Sequence, residues 1–200
     1  MAASDPDVID VLVGIAAGSP LDAIRARRPE ARTHAQASYR ALFAPEAAGG
    51  VTTQERFAVG CFVTGLHGEP ATAAFYAERL ASSGGSSALC QAVDAAIAEA
   101  RAHGPYGSYP AGPLSRENTA GPVYRVGALA LRMLGSRLAA AFEHMHLLVY
   151  HPRDAAPKAL QALLDAGWTT TDIVTLSQTA AFLSFQIRVV AGLRALAARH

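Results

Sequence analysis

Cysteine is nearly missing from this chain: 200 residues carry two, Cys61 and Cys90. They stand far apart and belong to no Cys-x-x-Cys pair. That excludes a disulfide framework, a thiolate zinc site and a vicinal dithiol. Charge is scarce too. Asp, Glu, Lys and Arg make up 16% and nearly cancel, leaving a formal net charge of +1. No basic run or basic aromatic stripe is present, so nucleic acid is not an expected partner. The opening "MAASDPDVIDVLVG" carries acids where a secretory leader needs cations. Apolar runs are broken by Arg or Gly before the roughly 18 residues of a membrane span. The expectation is a soluble, cytoplasmic chain without membrane contact.

What is present is apolar sequence, 51% of residues and much of it alanine. Alanine favours helix and fills little volume, so alanine-faced helices approach closely within or between chains. A homo-oligomer, dimer or higher, is expected. Helix signals run along most of the chain. "DPDVIDVLVGIAA" offers Asp5 as cap and Pro6 as first helical residue. "SPLDAIRARRPEA" repeats the device with Ser19 and Pro20, and "RTHAQASYRALFAP" continues to a stop before Pro45. Thr52-x-x-Glu55 is a capping box opening the next helix. "ATAAFYAERLASS" and "SSALCQAVDAAIAEARAHG" follow.

Residues 104–126, "GPYGSYPAGPLSRENTAGPVYRV", are rich in Gly, Pro and Tyr and have no helical period. Loops this long inside a domain are uncommon and often functional, and the tyrosines carry apolar area that must pack. The segment reads as an ordered crossover, covering a cleft or reaching a neighbouring subunit. Helices resume with "GALALRMLGSRLAAAFEHMHLLVYHP" and "DAAPKALQALLDAGW". Thr169-x-x-Asp172 opens the last long one. No stretch reads as a strand, so the fold class is all-α. The chain divides into an N-terminal helical lobe (1–103), the crossover (104–126) and a C-terminal helical lobe (127–200), forming one compact unit.

The two halves align when shifted by 117 residues. "TTQERFAVGCFVTGLH" falls on "TTTDIVTLSQTAAFLS", with Thr52 on Thr169 and Glu55 on Asp172. Two copies of a helical unit, each burying its apolar face on the other, would produce this pattern.

Several stretches carry a family resemblance: "SYRALFAPE" with "VTTQERFAV", then "RLAAAFEHMHLLVYHPRDA", "ALQALLDAGWTTTDIVTLSQTAAFLSFQIRVVAGL" and the middle "GPYGSYPAGPL". Over nearly its whole length the chain resembles the alkylhydroperoxidase and carboxymuconolactone decarboxylase superfamily, in particular its two-lobed, peroxidase-related members. The resemblance implies tandem helical lobes, homo-oligomers and antioxidant hydroperoxide reduction through a Cys-x-x-Cys helix, with a Glu and a His relaying protons. On this chain the relay Glu is Glu55, the two thiol positions hold His67 and Pro70, and the distal His position holds Ala74. In the second half Asp172 leads to Ser184, Ile187 and Ala191. Neither half keeps a thiol pair. The implied function is a peroxidase-related protein without the redox dithiol, its activity weak, altered or lost. The alternative is a non-catalytic small-ligand-binding or assembly protein. If active, it would be a hydroperoxide reductase-like oxidoreductase or a decarboxylase-like acid–base enzyme.

The residues left to do chemistry follow from this. Glu55, His67 and Cys61 are the catalytic candidates, since they lie close in sequence. Each has a plain structural explanation as well: a capping-box carboxylate, a histidine at a helix end, and a buried apolar thiol. Gln186 and Arg188 stand in "FLSFQIRVVAGL", where almost every neighbour is apolar. With Gln178 and His144 they are the candidates for the polar end of an apolar pocket. Such a pocket would take a small apolar or peroxide ligand. His144 and His151 share a helix face, whereas His146 and Glu143 are expected to point elsewhere, so no metal site is expected and no cofactor is called for.

Overall fold

The computed structural model of the chain describes residues 6–198. Among them lie nine α-helices: α1 (Val8–Val13), α2 (Pro20–Ala26), α3 (Pro29–Phe43), α4 (Thr53–His67), α5 (Pro70–Ser82), α6 (Ser87–Ala100), α7 (Ala128–Tyr150), α8 (Pro157–Asp165) and α9 (Thr170–Ala197). No strand occurs among the described residues, only an isolated bridge between Gly107 and Thr119. The fold is all-α. Asp5, read as the first cap, lies outside the described residues. The cap is Asp7, whose carboxylate accepts from the Ile9 and Asp10 amides, and Pro6 precedes the helix. The second predicted helix also breaks earlier than its pattern suggests, because Pro29 opens α3 as an N-terminal proline.

Helix α4 is the centre of the molecule. Every residue from Arg56 to Leu66 is buried, because α5, α6, α7 and α9 all pack against it. Gly60 and Gly65 permit the approach: a Cβ on Gly60 would lie 2.8 Å from the Tyr76 ring, and one on Gly65 would lie 2.7 Å from Ile97. On one flank Phe43 contacts Phe57, Tyr76 and Phe182. On the other, Phe62 stacks on Phe142 of α7 with centroids 4.2 Å apart. Arg56, within the buried run, donates to the carbonyls of Val51, Leu42 and Ala48, so its charge is met by three acceptors.

Residues 117 apart meet across the seam between α4 and α9. Thr52 and Thr169 cap the two helices, each with a complete capping box. Arg137 of α7 donates to the carbonyls of both Gly50 and Gly167, 2.6 Å each, and to Glu55 Oε1 at 2.8 Å. Its guanidinium lies 3.6 Å from the centre of the Trp168 ring. Further along, His67 Nε2 sits 3.1 Å from Ser184 Oγ. Contacts at both places set α4 and α9 side by side, running in the same direction.

Helix α9 corrects one sequence expectation. At 28 residues it is long and apolar enough to cross a membrane by length and composition. Yet it packs on α1, α3, α4, α7 and α8, and its buried face holds Asp172 and Gln186.

The crossover is tied down along its length. The Ser108 amide donates to Asp154, His151 Nε2 donates to the Pro122 carbonyl, and the Val126 amide donates to Glu143. These bonds hold residues 123–125 over the junction of α7 and α8.

Candidate functional site

The three catalytic candidates do not converge. Glu55 and His67 occupy opposite ends of α4, twelve residues apart, which is about 18 Å along a helix. Glu55 is spent on local work: its carboxylate accepts from the Thr52 amide and hydroxyl and pairs with Arg137. His67 faces Ser184, and burial followed by the nearby Arg188 charge lowers its pKa. Cys61 is buried, and its thiol is pushed up to about 12 by burial, with Asp94 and Cys90 of α6 adding to the push. A thiol held protonated in this way is a poor nucleophile. It borders a cavity of about 310 Å³ between α4, α5 and α6 whose polar groups are Asp94 and Arg101.

The four pocket candidates are also separated. Gln186 is fully buried, and Tyr76 donates to its Oε1 at 2.8 Å, while its Nε2 has no partner. Arg188, expected to be buried beside it, is exposed and donates back to the Ser184 carbonyl. Two residues along a helix rotate a side chain by about 200°, so Gln186 and Arg188 face opposite ways. Gln178 is exposed as well. Eight residues leave it about 80° from Gln186, enough to turn it outward.

Of these four, His144 borders a cavity. Between α7, α8 and the end of the crossover lies a space of about 410 Å³, within the usual size for small-molecule sites. Its body is apolar, from Ala140, Leu147, Ala159, Ala162 and Val123. His144, Tyr124 and His146 supply its polar groups, and Arg125, Glu143, Asp154 and Lys158 supply its charges. His144 is only 6% exposed, and neither ring nitrogen has a hydrogen-bond partner. The Tyr124 hydroxyl is likewise buried and unpartnered. Each such orphan costs about 1–3 kcal/mol until something pairs with it.

The electrostatics of this cavity favour uncharged groups at depth. Burial lowers the His144 pKa. Burial and then the neighbouring His151 lower that of His146 to about 4. Burial, with Glu99 and Glu143 adding to it, pushes the Tyr124 hydroxyl up to about 12. At neutral pH two neutral imidazoles and a phenol therefore face the space. The charges are balanced nearer the surface: Arg125 pairs with Glu143 at 2.7 Å. His151 Nδ1 contacts Asp154 at 3.0 Å while its Nε2 reaches the Pro122 carbonyl.

Sequence reasoning missed much of this lining. His146 and Glu143 were expected to point away from His144, but both border the same cavity. The crossover and α8 wrap α7 so broadly that side chains on more than one face reach the space. A signal was available in Tyr124, a large amphipathic ring inside a loop anchored next to the histidine-bearing helix. Among the described residues no group of three or more His, Cys, Asp or Glu side chains is arranged to hold a metal ion.

Compared with protein-family models, with curated proteins and with solved structures, the chain matches none.

Proposed function

We propose that this chain is a peroxidase-related protein on a two-lobed alkylhydroperoxidase-type scaffold that has given up thiol turnover. Its working site is the cavity between α7, α8 and the crossover, where it binds a small, mainly apolar ligand. The observation that carries this reading is His144, buried with both ring nitrogens unpartnered at the wall of an apolar cavity. The wide separation of Glu55 from His67 and the protonated state of Cys61 weigh against dithiol-like catalysis. The pairing of residues 117 apart, at Gly50 with Gly167 and at His67 with Ser184, supports the tandem repeat. A peroxide-consumption assay tests the loss of thiol chemistry. Wild type and a Cys61→Ser, Cys90→Ser variant are expected to consume peroxide equally, at background. Wild-type turnover that disappears in a folded double-serine variant would overturn the reading.

The same proposal includes a homo-oligomer in the cytoplasm. Val174, Gln178, Ala181, Phe185, Arg188 and Gly192 are all exposed on α9, spaced alternately four and three residues apart. That spacing is the seam by which two helices interdigitate, here along about 27 Å. Phe185, 45% exposed at its middle, is the natural anchor for a second copy. Light scattering should show a dimer or larger for wild type and a monomer for Phe185→Glu. A monomeric wild type at tens of micromolar would contradict it.

A further inference from the structure

The cavity bordered by His144 holds two polar groups that no protein atom satisfies, and their chemistry narrows what can enter. A neutral imidazole has one N–H donor and one bare nitrogen acceptor. With neither nitrogen of His144 engaged, the ring keeps one donor and one acceptor open, on different edges. The Tyr124 hydroxyl, also unengaged, adds a second group able to give or take a hydrogen bond. An entirely apolar ligand would leave both groups unpaired, as they already are. A carboxylate would have to give up its hydration where no fixed cation waits. Of the cavity's cations, Arg125 is already paired with Glu143, and Lys158 is exposed at the surface.

Resting on the reading of this cavity as the binding site, we propose that its ligand is an uncharged apolar molecule bearing a hydroxyl group. The hydroxyl both donates and accepts between His144 and Tyr124. The ring or chain it carries lies against Ala140, Leu147 and Ala162.

Three probes of nearly one shape separate the alternatives: 2-naphthol, 2-methylnaphthalene and 2-naphthoate, titrated calorimetrically into the full chain at pH 7.5. We expect 2-naphthol to bind about tenfold more tightly than either of the others, the size of one well-made hydrogen bond at an otherwise unpaired group. His144→Leu and Tyr124→Phe should each bring 2-naphthol to within about twofold of 2-methylnaphthalene while leaving 2-methylnaphthalene binding in place. Tyr124→Phe keeps the ring, so its comparison stands alone if His144→Leu folds poorly. Tightest binding of 2-naphthoate, or equal binding of all three, would overturn the hydroxyl assignment and leave the cavity as a ligand site. Binding of none by wild type would overturn the cavity reading itself.

Discussion

Arg137→Ala is expected to lower the unfolding free energy by about 3 kcal/mol. This one guanidinium donates to the carbonyls ending both pre-helical turns, Gly50 and Gly167. It also pairs with the Glu55 capping carboxylate and stacks on Trp168. Trp168 in turn donates from its indole N–H to the Arg137 carbonyl, 2.8 Å away. Removing the side chain leaves two carbonyls without their donor, takes one of three donors from the Glu55 carboxylate and uncovers a buried indole. The contacts are partly exposed, so each of the three hydrogen bonds is worth about 1 kcal/mol, which sets the total at about 3 kcal/mol. Arg137→Lys keeps the charge but not the planar fork, so it should restore less than half. Urea denaturation at pH 7.5 measures both. A loss below about 1 kcal/mol for the alanine variant would show that the seam holds without the bridge.

Acid should destabilise the protein well before its carboxylates protonate. His67, His144 and His146 all have folded-state pKa values below the ordinary 6.5, chiefly through burial. The unfolded chain therefore binds more protons than the native one once pH drops below 6.5. Their stability contribution is intact above that value and is lost as pH falls toward each folded pKa. For His146 the window runs from 6.5 down to about 4. By pH 5 it alone removes about 2 kcal/mol, with His67 and His144 acting in the same direction. Denaturation midpoints at pH 7.5 and pH 5.0 should differ accordingly, and His146→Phe should flatten part of the slope. A midpoint unchanged across this range would mean that these rings are not held neutral by burial.

Local chemistry made the helices and their starts legible. The capping boxes at Thr52 and Thr169 need only residues three apart, and Gly68 and Gly167 with positive φ follow the helices they end. The shift of 117 residues brought Gly50 and Gly167 under one arginine, but the arginine itself, on a third helix, left no mark in either aligned stretch. Arg188 misled for a physical reason: α9 is apolar around most of its circumference, which reads as full burial, whereas one face is open. His144 was named from the sequence, and it borders a cavity. The cavity around it was not, because it is made by a loop and a short helix folding over α7, and such long-range closure has no period in the sequence.

The most direct test of the central claim is nuclear magnetic resonance of ring-labelled histidines during titration with 2-naphthol. If the α7–α8 cavity is the ligand site, the signals of His144 and His146 shift together and saturate, while that of His67, bonded to Ser184, stays in place. A saturable shift at His67 with His144 unmoved would put the site at the α4–α9 seam and contradict the claim.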